Sequence, residues 1–338
     1  MSRVSYPDAG VNNSTPQISF FTSEAERAAF DLSATALNME PDSVDGLPER
    51  WARMQVLGRL AKDRDPGIFN HVTTDNVARD MLSIVQAHGR EKLLYWGISY
   101  GSAIGSTFAA MFPDKIERLL IDGVLDVEGY YTMDYANGVL DADKALQTFF
   151  DGCAAAGPDR CAFYSPSPSE IKDRLSSLSA SLQQPVPAYS PSLPAYGVLN
   201  HVTLQRAVYN SLSAPYSTFS VLAQGLKALE AGDASLVFQL AQPVANEAFA
   251  AIGCADATPV EDGPEELKAY EERISGLSSF ASFPASYRLA CSGWKIHPNN
   301  FKGPITGNTS YPMLIIGKTA DQLTPLAMYV SPLAYFLT

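Results

Sequence analysis

Residues 92–122, KLLYWGISYGSAIGSTFAAMFPDKIERLLID, decide the fold. KLLYW is an apolar run of strand length, GISYG is a sharp turn, SAIGSTFAAMF predicts a helix that ends before Pro113, and RLLID is a second apolar run. A strand, a helix and a second strand in about 30 residues make a βαβ unit, whose two strands run parallel. The segment therefore predicts an α/β fold in which both runs are buried strands.

A serine lies at the turn of this unit. Gly97, Ser99 and Gly101 form the pattern G-x-S-x-G between the first strand and the helix. A nucleophile elbow requires this context, because the turn exposes the serine hydroxyl at the carboxyl edge of the sheet. The N–H of Tyr100, at the helix N-terminus, can face a developing oxyanion. We predict Ser99 as a nucleophile and Tyr100 as an oxyanion donor, against the alternative of a Ser/Gly-rich helix start without chemistry.

The acid that would orient a catalytic base is predicted near the end of the chain. PMLIIG has the pattern of another buried strand, and Asp321 lies in the loop behind it. The order serine, acid, histidine is expected for an elbow of this kind, which favours Asp321. Asp122 and Asp126, after the strand RLLID, are the alternative acids.

The base is harder to assign, because no histidine follows Asp321. His71 and His88 flank a predicted helix and are interpreted as structural. His201 and His297 remain as replacement bases, since triads are recognised by geometry rather than by chain order.

The composition excludes several classes of protein. Of the 338 residues, 46% are apolar and 18% charged, as in globular proteins, and 36 acidic against 24 basic residues leave a net charge of −12. A negative chain is unsuited to nucleic acid or an anionic membrane. No apolar run has the length of a membrane span, and the first residues have no apolar leader, so a cytoplasmic location is expected. We expect no metal or other cofactor, and the oligomeric state cannot be read.

The four cysteines, Cys153, Cys161, Cys254 and Cys291, contain no C-x-x-C pair. Two disulfides or four buried thiols are both compatible with that spacing, because the redox compartment decides between them.

The periodicity divides the chain into three parts. Residues 1–123 are predicted as the first part of the α/β core, including a helix over residues 74–88. From 124 to 305 the pattern is helical with Ser/Pro-rich breaks, which predicts an inserted helical cap. Residues 306–338 return to the core with the acid loop.

Longer segments carry a family resemblance. They are HVTTDNVARDM (71–81), the segment 92–122 continued to GVLD, ALQTFFDGCAAAGPDRCAFY (145–164), CSGW (291–294) and GNTSYPMLIIGKTADQLTPLA (307–327). Together they resemble the tripeptidyl-aminopeptidase-like α/β-hydrolases, relatives of the proline iminopeptidases, in their fungal branch, from about Val11 to Ala327.

The resemblance implies a serine hydrolase with a helical cap, which releases short N-terminal pieces from peptides. Ser99 and Asp321 fall on the nucleophile and the acid of the family. The cysteines would match two cap disulfides, Cys153 with Cys161 and Cys254 with Cys291. Members of the family are often secreted.

The segments of the family that this sequence lacks lead to an expectation about the sheet. The first strands, the glycine-rich oxyanion loop and the Gly-His-Cys segment of the family have no counterpart here, so we expect an incomplete sheet in a chain truncated at both ends. Three functions then compete: an exopeptidase, an ester or amide hydrolase acting on a small metabolite, and a catalytically impaired remnant that binds a ligand.

Overall fold

A computed structural model describes residues 14–15, 17–36, 46–242 and 247–329; Val11, where the resemblance begins, lies outside these ranges. The helices are α1 (Glu24–Ala36), α2 (Gly46–Arg64), α3 (Thr74–Ala87), α4 (Tyr100–Met111), α5 (Val127–Thr132), α6 (Ala142–Ala156), α7 (Pro168–Ser181), α8 (His201–Ser211), α9 (Pro215–Glu230), α10 (Ser235–Leu240), α11 (Glu247–Asp256), α12 (Pro264–Ser275) and α13 (Ser282–Ser292). The strands are β1 (Leu93–Ile98), β2 (Ile116–Asp122), β3 (Val186–Ala188), β4 (Gly197–Leu199) and β5 (Leu314–Ile316), and short 3-10 turns occupy Pro113–Lys115, Ala136–Val139 and Leu326–Tyr329.

The main sheet is parallel, in the order β1-β2-β5. Gly97 pairs with Ile121, and Ile121 pairs with Ile315 on its other side, so β2 lies in the centre. Helix α4 connects β1 to β2, as the βαβ pattern predicts. The carboxyl ends of all three strands therefore lie at one edge, where Ser99 follows β1.

Local signals set the helix boundaries. The Oγ of Ser23 accepts a hydrogen bond from the amide of Glu26 at 3.1 Å, which begins α1. Gly89, with φ of 69°, follows the end of α3 in the left-handed conformation that glycine adopts without strain. The predicted helix over 74–88 is thus one residue longer than the observed one.

The prediction that KLLYW and PMLIIG are buried strands is wrong for one face of the sheet. Helices α3 and α4 cover the side that carries Leu93 and Ile121. The opposite side leaves large apolar side chains exposed, at Leu94 (37%), Trp96 (64%), Ile98 (57%), Leu314 (57%) and Ile316 (37%). The sequence of an apolar strand does not indicate whether one face of the sheet or both faces are covered, because the same residues occur in both cases.

Two further cores lie outside the sheet. Helices α6 to α10 pack around one cluster, which includes Phe149, Leu204 and Leu226. A second cluster joins α11 and α13 to α5 and to Phe20 near the chain start, and it also includes Trp294. The helical pattern from 124 to 305 misses the antiparallel pair β3 and β4, whose strands have only three residues each.

Both disulfides that the resemblance implies are present in the structure. Cys153 is bonded to Cys161 and Cys254 to Cys291, with Cα atoms 5.3 and 5.1 Å apart, so no cysteine is a free thiol. The second bond ties α11 to α13. None of the helices in the described ranges has the length and apolar character of a membrane span.

Candidate active site

The turn between β1 and α4 holds Ser99 in an unusual backbone conformation. Its φ and ψ are 56° and −120°, a region that residues other than glycine rarely occupy, and the residue is exposed. The surrounding bonds enforce this geometry. The Ser99 amide donates to the carbonyl of Asp122 at 2.9 Å, and the hydroxyl of Ser102 donates to the Ser99 carbonyl at 2.5 Å. Ser102 Oγ also accepts from the Leu125 amide at 2.9 Å, so the loop after β2 supports the turn.

The glycines of the motif permit close packing of α4 on β1. A Cβ on Gly97 would lie 2.2 Å from the carbonyl oxygen of Gly101 and 2.5 Å from the ring of Tyr95. The hydroxyl of Tyr95 donates to that same carbonyl at 2.8 Å. A side chain at Gly97 is therefore excluded by the backbone of Gly101.

Asp321 lies behind β5 with both carboxylate oxygens engaged. Oδ1 accepts from the amides of Leu323 at 3.0 Å and Thr324 at 2.8 Å, and Oδ2 lies 3.2 Å from the Nζ of Lys318. Burial acts to raise the pKa of Asp321, but the two amides and the lysine outweigh it and hold this pKa below its usual value. The carboxylate is therefore ionised and fixed in orientation.

Gly123 shows that the serine turn and the acid loop meet at the same edge of the sheet. Its φ is 60°, and a Cβ there would lie 3.3 Å from Thr324 Oγ1, 3.7 Å from Lys318 Nζ and 3.8 Å from the amide nitrogen of Ser99. Asp321 bonds to both Thr324 and Lys318. The structure thus brings the loop of the predicted acid beside the predicted nucleophile.

The alternative acids have other surroundings. Asp126 begins α5, where its carboxylate accepts from the Gly129 amide at 3.2 Å and from Asn137 Nδ2 at 2.8 Å. This is the role of an N-cap. One carboxylate oxygen of Asp122 is buried without a hydrogen-bond partner among the described residues, while its backbone carbonyl supports Ser99.

The four histidines lie within the described ranges, and no hydrogen bond there joins any of them to Ser99. His88 closes α3, and His201 is the first residue of α8. The Nε2 of His297 lies 3.3 Å from the carbonyl of Trp294, and burial lowers its pKa. The structure therefore gives no support to His201 or His297 as a replacement base.

Two side chains of this region were not predicted from the sequence. Lys318 precedes Asp321 by three residues, a spacing that could have indicated the ion pair. Asp256 is fully buried at the end of α11 and bonds to Thr74, 182 residues away, so no local pattern could have indicated that contact. No group of three potential metal ligands is found in the part of the chain that the structure describes.

This chain is similar to known proteins over most of its length. The family model of the alpha/beta hydrolase fold matches residues 48–201. Serine protease Hip1 of Mycobacterium tuberculosis is 25% identical over 298 residues, which cover 80% of this chain and 55% of Hip1. The tripeptidyl aminopeptidase of Streptomyces lividans is 25% identical over 308 residues, with 83% and 54% covered. The putative hydrolase YuaR of Escherichia coli is 22% identical over 307 residues, with 87% and 60% covered.

The chain thus spans little more than half the length of the curated relatives that it matches. The match extends across the serine turn, and the parallel sheet with its helical elements agrees with the predicted fold class. The resemblance inferred from the sequence is confirmed at the level of the fold and of peptidase-like relatives. The chain therefore has the α/β-hydrolase fold, and it is similar to peptidase-like hydrolases.

Proposed function

We propose that this chain is a serine hydrolase of the peptidase type, in which Ser99 is the nucleophile, Tyr100 supplies an oxyanion donor and Asp321 is the acid. The observation that carries the proposal is the strained turn at Ser99, exposed at the carboxyl edge of the sheet and supported by Ser102 and Asp122. Strained serines held by their surroundings are typical of functional turns.

The reaction that this arrangement supports is acyl transfer. Ser99 Oγ bonds to the carbonyl carbon of the substrate and loses its proton, while the carbonyl π electrons move to the oxygen. The amide of Tyr100, at the start of α4, donates to that oxyanion. Collapse of the intermediate expels the protonated amine, and water then releases the acyl group from Ser99.

The proton of Ser99 needs an acceptor, and among the described residues no hydrogen bond joins a histidine to Ser99. Removing the base of a triad costs several orders of magnitude in rate, although binding and oxyanion stabilisation leave a residual activity. The same observation favours a second candidate function, a protein that binds an acyl substrate and turns it over slowly or not at all.

The substrate class is inferred from the relatives. Two of them are named serine protease and tripeptidyl aminopeptidase, which favours release of short N-terminal peptides or amino acids. A small ester or amide is the alternative, because the fold alone does not select a substrate. The two disulfides favour an oxidising compartment over the cytoplasmic location expected from the chain start.

The experiment is labelling with a fluorophosphonate probe, followed by mapping of the adduct. We expect one adduct, at Ser99, which is lost in Ser99→Ala and kept in Ser83→Ala, a control that removes an exposed serine from α3. The same three proteins are then assayed with chromogenic tripeptidyl amides, aminoacyl amides and a small ester. Labelling at other serines, or equal labelling of Ser99→Ala, would contradict the proposal.

Turnover separates the two candidate functions. Slow, serine-dependent release from the amides supports a peptidase that lacks an efficient base, and release from the ester alone supports an esterase. Labelling of Ser99 without turnover of any substrate supports the binding protein.

A further inference from the structure

A chain of hydrogen bonds connects the end of α11 to the residue beside Ser99. The Oγ1 of Thr74 lies 2.5 Å from Asp256 Oδ2 and 2.6 Å from the hydroxyl of Tyr100. Thr74 and Asp256 are both fully buried. Three segments that are distant in the sequence, namely the starts of α3 and α4 and the end of α11, therefore meet through side chains.

The carboxylate of Asp256 fixes the direction of these bonds. It accepts from the amide of Thr74 at 2.9 Å, from the hydroxyl of Tyr130 at 2.6 Å and from Asn300 Nδ2 at 3.3 Å. An ionised carboxylate only accepts, so the Thr74 hydroxyl must donate to it. Since the only proton of the Thr74 hydroxyl is used in this bond, Thr74 Oγ1 accepts from the hydroxyl of Tyr100.

This series of hydrogen bonds ends at Tyr100, whose backbone amide belongs to the proposed site. Tyr100 is the first residue of α4, and its amide is the proposed oxyanion donor. Its ring lies against that of Tyr130, with centroids 5.9 Å apart, and Tyr130 is itself held by Asp256. The side chain of Tyr100 is thus fixed at its hydroxyl and along its ring.

We propose that Thr74 and Asp256 act as positioning residues, which hold Tyr100, and with it the amide beside Ser99, in place from helix α11. This inference rests on the proposed function, because it assigns a role to the Tyr100 amide. A buried carboxylate is costly to a fold unless its hydrogen bonds are satisfied. Both hydroxyls that donate to Asp256 belong to side chains that contact Tyr100: Thr74 through a hydrogen bond and Tyr130 through its ring.

A structural role for Asp256 is the competing explanation, since it also accepts the first amide of α3. Thr74→Val separates the two roles: it keeps the amide and the shape of the side chain but removes the hydroxyl that joins Asp256 to Tyr100. Thr74→Ser restores the hydroxyl. Thr107→Val is the matched control, because Thr107 is equally buried on α4 and bonds to Tyr131, outside this chain of bonds.

The measurement is the second-order rate constant for fluorophosphonate labelling of Ser99, together with the melting temperature and hydrogen exchange of the amides in residues 99–104. We expect Thr74→Val and Tyr100→Phe to label about tenfold more slowly, because a small displacement of a reacting group is costly in rate. Thr74→Ser should recover the rate. Thr107→Val should lose comparable stability and keep the labelling rate.

Equal labelling rates in all variants would overturn the positioning role. If Ser99 is not labelled even in the unmodified chain, the proposed function fails, and hydrogen exchange decides on the positioning alone. Faster exchange of residues 99–104 in Thr74→Val than in Thr107→Val then supports the positioning of Tyr100, and unchanged exchange overturns it.

Discussion

At the scale of single residues, the serine turn depends on the absence of a side chain at Gly97. A Cβ there would lie 2.2 Å from a backbone oxygen, which cannot move without shifting α4. We expect Gly97→Ala to lower the free energy of unfolding by about 1–3 kcal/mol through overpacking. Gly152→Ala is the control, because in α6 its Cβ meets nothing within 4 Å, and it should gain about 0.5–1 kcal/mol. Urea unfolding measures both, and equal effects would contradict the packing argument.

The ion pair at Asp321 makes a prediction about acid stability. Its pKa in the folded chain lies below that of the unfolded chain, which is about 3.9. The stability from this group is therefore present above about pH 4 and is lost as the pH falls through the folded pKa. We expect Asp321→Asn to unfold more easily than the unmodified chain at pH 7, and the difference to shrink toward pH 3. Urea unfolding at several pH values tests this, and a difference independent of pH would count against it.

Asp256 should have the opposite dependence on pH. Burial raises its pKa to about 6, against hydrogen bonds from Thr74 and Tyr130 that act to lower it. A raised pKa stabilises the fold below the unfolded value of about 3.9 and loses that contribution as the pH rises to about 6. The neighbouring charged groups are Asp75 and Lys302. We expect the unmodified chain to lose stability between pH 4 and 6 relative to Asp256→Asn; parallel profiles would refute the assignment.

Residue-scale prediction from the sequence succeeds where chemistry is local. The glycine spacing around Ser99 and the loop position of Asp321 could be recognised because each depends on adjacent strand and turn patterns. The contact between Asp256 and Thr74 could not, because only the tertiary fold brings residues 182 positions apart together.

At the scale of elements, the strands could be located from their apolar runs, but their exposure could not. Leu93 and Trp96 belong to the same run, yet one packs on the helices and the other is 64% exposed. Alternation along a strand determines which residues share a face, whereas the covering of that face depends on other elements.

The exposed sheet face leads to a prediction about association. Large exposed apolar patches favour contact with other molecules. We expect the double variant Trp96→Gln, Ile98→Thr to self-associate less in sedimentation velocity and to change the free energy of unfolding by less than about 0.5 kcal/mol. Ile121→Ala, on the covered face and fully buried, should cost about 2–5 kcal/mol. A large loss of stability in the double variant would mean that this face is packed in solution.

At the scale of the whole molecule, the buried side chains form separate cores, one of which joins α3 and α4 to the sheet. Helices α6 to α10 have a core of their own, while α11 and α13 share a core with residues of α2, α4 and α5. The periodicity predicts one helical cap over residues 124–305, and that division stays a prediction. Which helices pack against the serine turn is decided by long-range contacts, and the Cys254–Cys291 bond is among them.

The two disulfides should differ in how much they stabilise the fold and in whether their removal slows the labelling of Ser99. They close segments of 8 and 37 residues, so chain entropy predicts losses of about 2.5 and about 3.8 kcal/mol when Cys153–Cys161 or Cys254–Cys291 is replaced by paired serines. The second bond also anchors α11, two residues from the carboxylate that bonds to Thr74. We expect only its removal to slow fluorophosphonate labelling of Ser99. Urea unfolding and labelling of the two double variants test this, and equal slowing in both would show that general loss of stability, rather than the anchoring of α11, controls the serine.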